Sequence, residues 1–175
     1  MTFVVLATGP SMTHALADSI RGRCKVVAVS DAYKLAPWAD ALASTDAKWW
    51  KAHPDAQYFE GLKFTAAPDF VPVPGAERLA VDTHTNSGLL GLMVAVKMGA
   101  KRILMCGFDL SGSHFFGPHL TPLRNTSPQR FEQFKKQFAA YQPRGVEIIN
   151  CTPDSGLHCY PKKELNACLD EPAIR

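Results

Sequence analysis

Apolar and polar positions along this chain alternate between two periods. Thr2 to Ala7, Lys25 to Val29, Ala41 to Ser44, Leu62 to Thr65, Leu79 to Val81, Arg102 to Cys106 and Val146 to Ile149 are short runs rich in Val, Ile, Leu and Ala. Runs of that length and composition predict strands covered on both faces of a parallel sheet. Between them, Met12 to Arg21, Asp46 to His53 and Pro128 to Tyr141 carry apolar residues at helical spacing. A fourth helix, Ser87 to Gly99, differs in kind. Its only charge is Lys97, and Leu89, Leu90, Leu92, Met93, Val94, Val96 and Met98 cover every face. A helix apolar all round is a buried one. Strands alternating with helices predict a single α/β domain over residues 1–175, a Rossmann-like three-layer sandwich with a mostly parallel sheet.

Punctuation supports these elements. Ser11 is the expected cap of the first helix, Asp46 of the second, Asn86 or Ser87 of the buried one, and Ser127 with Pro128 of the last. Trp49 and Trp50 are adjacent on a helix, so one is expected in the core and the other at a rim.

Composition changes this picture little. A net charge of +3 with scattered Lys and Arg gives no mandate for nucleic acid. No apolar run reaches the roughly 18 to 20 residues of a membrane span. Five cysteines, an odd number, fit a reducing cytoplasm, with Cys24 and Cys106 read as small buried hydrophobes. Oligomeric state is left open.

Candidate chemistry gathers at the predicted carboxyl ends of strands, where open α/β sheets bind ligands. Gly9, Pro10 and Ser11 follow the first strand, Ser30 and Asp31 the second, Gly107 and Asp109 the strand after the buried helix, and Asn150-Cys151-Thr152 the last. Asn86, Ser87 and Gly88 open the buried helix. Helix starts carry free N–H groups and the positive end of the dipole, so the expected guest is an anion, most simply a nucleotide phosphate. Asp31 is placed to accept from a ribose hydroxyl or to cap the next turn. His114 and His119, on a glycine-punctuated loop past Asp109, are the expected proton shuttles. Asp109, His114 and His119 lack zinc-like spacing, and no metal or required cofactor is expected. Neither G-x-G-x-x-G, nor a P-loop, nor G-x-S-x-G is present.

Three of these stretches carry a resemblance. Ala-Thr-Gly-Pro-Ser at residues 7–11, Asn-Ser-Gly at 86–88 and Gly-Ala-Lys-Arg-Ile-Leu-Met-Cys-Gly-Phe-Asp at 99–109 resemble a Rossmann-like group. It includes bacterial CMP-sialic-acid-dependent sialyltransferases and the MptE-like pterin diphosphokinases. Over most of its length the chain is similar to a small phage or prophage protein family without an assigned activity, through residues 30–40, 46–50 and 150–157. The resemblance implies a CMP-type nucleotide or nucleotide-sugar ligand held by Gly9, Pro10, Ser11 and Asn86 to Gly88. It also implies a histidine of the 114–119 loop as the base for an acceptor hydroxyl. Metal-independent glycosyl transfer is then the expected activity. A non-enzymatic phage accessory protein, or a diphosphotransferase with magnesium held partly by Asp109, are the alternatives.

Overall fold

The computed structural model describes residues 1–69, 71–82, 84–120 and 123–171. Seven strands form one sheet in which every pairing is parallel. They are β1 (Thr2–Leu6), β2 (Lys25–Val29), β3 (Ala41–Ser44), β4 (Leu62–Thr65), β5 (Ala76–Arg78), β6 (Arg102–Cys106) and β7 (Glu147–Asn150). Their order across the sheet is β5-β4-β3-β2-β1-β6-β7. The central strands are buried because both faces are covered. Val4, Leu6, Val26, Ala28, Leu104 and Ile149 point into one core, while Phe3, Val5, Val27, Val29, Ile103 and Met105 point into the other. That alternation is the two-residue period of a pleated strand.

The first core is closed by α1 (His14–Ile20), α2 (Ala47–Ala52) and α5 (Leu165–Asp170). The second is closed by α3 (Ser87–Lys97) and α4 (Pro128–Ala140). This is the Rossmann-like three-layer arrangement the pattern predicts. The all-apolar helix is α3, with Leu89, Leu90, Gly91, Leu92, Val94 and Ala95 buried. It lies so close to the sheet that a Cβ on Gly91 would stand 2.6 Å from Val29 Cγ2 and 2.9 Å from Val5 Cγ1.

Four local expectations are corrected. The edge strand is β5 at residues 76–78, not 79–81: Leu79 and Val81 pack as side chains against the second core, although Leu79 N–H still donates to Thr65 O at 2.9 Å. The first helix starts at His14 with Thr13 as its cap, because Met12 N–H closes a turn on Gly9 O at 3.1 Å and Ser11 is engaged elsewhere. Trp49 and Trp50 are both buried: Trp49 Nε1 donates to Asp31 at 2.7 Å and Trp50 Nε1 to Ser44 O at 3.0 Å. Helix α2 sits deep enough between sheet and loop for adjacent positions to share the core. Cys24 precedes β2 and is only part-buried, while Cys106 is buried as read. Among the described residues no helix is long and apolar enough to cross a membrane.

Candidate functional site

The strand order reverses at one place. The chain steps outward from β1 to β5, then returns through α3 to lay β6 on the other side of β1. The connections leaving β1 and β6 therefore diverge, and the crevice between them is where such sheets take ligands. A cavity of ≈ 1130 Å³ opens there.

The base of this crevice is made of backbone. Gly9 N–H donates to Gly107 O at 2.9 Å, tying the two turns together. A Cβ on Gly9 would fall 1.8 Å from Asp109 Oδ2 and 2.5 Å from Gly107 O, so only glycine fits. Asp109 accepts from Ser11 N–H at 3.3 Å and from Ser11 Oγ at 2.8 Å. Asp109 and Ser11 therefore brace the first turn, and neither they nor Pro10 line the cavity, whereas Gly9 and Gly107 do. The last strand end is a second brace. Thr152 Oγ1 accepts from Phe108 N–H at 3.0 Å, Gly156 N–H donates to Asp109 O at 2.8 Å, and Ser155 Oγ donates to Phe108 O.

One wall is the start of α3. Asn86 caps it by accepting from Leu89 N–H at 2.9 Å, and its amide nitrogen donates to Gln137 at 2.9 Å. Ser87 Oγ accepts from Thr45 N–H at 3.0 Å. The N–H groups of Ser87 and Gly88 have no acceptor among the described residues, and both residues line the cavity. Ser30 (φ 47°) and Leu110 (φ 53°) also line it, and they are the non-glycine residues with positive φ among those described. That conformation costs roughly 1–2 kcal/mol at each. Strain of this kind gathers at ligand sites.

The facing wall is electrostatic. Asp31 is 2% exposed, yet accepts from Lys34 Nζ at 2.6 Å and Trp49 Nε1 at 2.7 Å and meets His53 Nε2 at 3.0 Å. Burial alone would raise its pKa. The bonds from Lys34 and Trp49 and the charges of His53 and Lys34 outweigh it and hold the carboxyl below the usual range. The 3₁₀ turn Ser30–Lys34 has no side-chain cap, so Asp31 does not serve as one. His53 in turn stacks on Trp49, centroids 4.5 Å apart.

His114 and His119 come together, their ring centroids 4.4 Å apart. Thr8 Oγ1 lies 2.8 Å from His114 Nδ1, and Phe116 stacks on the same imidazole at 4.9 Å. The backbone of His119 is clamped by Asn125, which accepts from its N–H at 2.7 Å and donates to its carbonyl at 3.3 Å. Burial lowers both imidazole pKa values, and for His114 the neighbouring His119 lowers it further. Both rings are therefore neutral at pH 7. The rest of the wall was not foreseen: Lys48, Arg124 and Arg130 line the cavity beside Phe131 and Phe134. Isolated basic residues carry no sequence signal of convergence. Among the described residues no three His, Cys, Asp or Glu side chains are grouped to hold a metal ion.

These features define an α/β protein of the Rossmann-like class with a ligand-sized cleft at its switch point. No family model matches the chain, and no curated protein matches it either. Among solved structures it is similar to the MAf glycosyltransferase from Magnetospirillum magneticum AMB-1. The TM-score is 0.63 and the identity 12%, over 98% of this chain and 34% of that one. The likeness is one of fold, and this chain spans about a third of that protein's length.

Proposed function

We propose that the cavity binds a nucleotide or nucleotide sugar of the CMP type, and that the chain is a glycosyltransferase-like domain working without a metal. The observation that carries this reading is the pair of unengaged N–H groups at Ser87 and Gly88, residues that line one cleft together with His114 and His119. These amides would receive the phosphate. Asp31, held as a fixed charge, would face the ribose.

In the transfer step, an acceptor hydroxyl gives its proton to a histidine as its oxygen attacks the sugar's anomeric carbon. The bond from that carbon to the phosphate oxygen breaks, and the nucleoside monophosphate leaves with the electron pair. In the tautomer whose Nδ1–H donates to Thr8 Oγ1, His114 Nε2 would be the accepting atom.

A thermal-shift series with CMP, CDP, UDP, ATP and pterin, with and without magnesium, tests the binding. A ligand at a hundred times Kd adds about 2.7 kcal/mol. That is about 5–10 °C in Tm at this size. A cytidine nucleotide should give this shift without magnesium. No response to any ligand sinks the reading. A magnesium requirement would instead favour a diphosphotransferase, and binding without any transfer a non-enzymatic accessory role.

A further inference from the structure

A second cavity, of ≈ 480 Å³, opens away from the cleft. Arg21 stands in the connection that enters β2, Trp38 in the one that enters β3, and Phe59 and Glu60 in the one that enters β4. Those connections meet the amino ends of the strands, whereas the cleft lies at the carboxyl ends. The second cavity therefore sits on the other edge of the sheet and shares none of the histidines or open amides.

Its walls are aromatic and acidic. Tyr33, Trp38, Tyr58 and Phe59 line it, and no two of these rings pair with each other among the described residues. Tyr33 is fixed from two sides, edge-on to Trp49 with centroids 5.8 Å apart and donating its hydroxyl proton to Asp55 at 2.5 Å. Asp55 and Glu60 supply two carboxylates. Neither has an ion-pair partner among the described residues, and the neighbouring Lys63 is turned onto the carbonyls of Gln57 and Phe59, at 3.0 and 3.2 Å. The chain already lays a cation of its own here: the Arg21 guanidinium lies over the Trp38 ring, 5.7 Å from its centroid, and is itself without an ion pair among the described residues. Aromatic faces and carboxylates both favour positive charge, and an anion would gain from neither.

We propose that this cavity binds a small organic cation, an alkylated ammonium or a guanidinium, whose charge lies against Trp38 beside Glu60 and Asp55. The ligand takes the place of the Arg21 side chain on the ring. A free small molecule is the occupant, because the volume falls within the roughly 300–1,000 Å³ of small-ligand sites. The inference is independent of the nucleotide reading.

The test titrates wild-type protein, R21Q and E60Q with choline and methylguanidinium, and with their neutral isosteres neohexyl alcohol and methylurea. The readout is the Trp38 indole N–H signal in NMR spectra, identified by its loss in W38F. Wild type should bind at least one of the cations ~5-fold or more tightly than its isostere. R21Q, relieved of the resident cation, should bind that cation more tightly and E60Q more weakly, each by ~2–5-fold. Arg21 and Glu60 are both exposed, so the two variants should keep the wild-type Tm. Vesicles of phosphatidylcholine should leave the Trp38 signal in place. The proposal is overturned if isosteres bind as well as cations, if neither cation moves the signal, or if R21Q weakens binding. A response to the vesicles in preference to free choline overturns the small-molecule occupant.

Discussion

Asp31 keeps a negative charge at 2% exposure because Lys34, Trp49 and His53 converge on it. Its lowered pKa sets a pH dependence whose sign is fixed. The stabilisation is fully present above the unfolded carboxyl value of ~3.9 and is lost as pH falls through the lower folded value. Asp31→Asn should therefore be less stable than wild type at pH 7, and urea unfolding should show the gap closing below about pH 4. A gap independent of pH would refute this account. The histidines act in the same sense: with folded values lowered, their neutral forms fail only below the ordinary ~6.5. If transfer is found, its acid limb should lie below that value, and His114→Ala should cut the rate ~10²–10⁴-fold while leaving nucleotide binding intact. At this scale the sequence was legible in kind and not in direction. His114 and His119 meet on one loop, and with Gly9, Ser30, Asp31, Asn86, Ser87, Gly88 and Gly107 they line the cavity. Asp109 stood at the right place in the chain but turned inward onto Ser11, into space that Gly9 leaves by lacking a Cβ.

Among the elements, α3 carries the most. Its fit to the sheet depends on Gly91, where an added methyl meets Val29 and Val5 at under 3 Å, neither of them the far end of a flexible chain. Overpacking of this kind costs about 1–3 kcal/mol. The better helix propensity of alanine returns about 1 kcal/mol. Gly91→Ala should thus lower Tm by up to about 8 °C in a calorimetric scan. A raised Tm would show that α3 can lift off the sheet freely. The pattern predicted α3, α4 and the central strands well, because burial on both faces leaves an unbroken apolar run. It misplaced β5, whose Glu77 is exposed and whose edge position gives no such run. It also did not separate the two tryptophans' surroundings, since helical spacing says nothing of how deep the neighbouring loops reach.

For the molecule as a whole, strand order was the hidden quantity. That the strands lie parallel follows from alternating elements, but the position of the reversal depends on which side of β1 the returning chain takes. Thiol chemistry checks the global packing. All five cysteines are free. Burial pushes Cys24 up to about 11 and also raises Cys106, Cys151, Cys159 and Cys168. A thiolate reagent at pH 8 should therefore label the native protein slowly and all five sites quickly in urea. Fast native labelling of Cys106 or Cys151 would contradict the packing of β6 and β7.

The division of labour around the cleft has a consequence for how such a molecule can diversify. Its base is glycine backbone tied strand to strand, while His114, His119, Arg124 and Arg130 all fall within one short span between β6 and the first turn of α4. That span is a removable cassette. Exchanging its part from His114 onward between chains that share the sheet would change the cavity lining while leaving Gly107, Phe108 and Asp109 in the frame, and loop closure penalises even a doubled length by only ~0.6 kcal/mol. New specificities can therefore be grafted, or selected from a library confined to these residues, against a constant structural background.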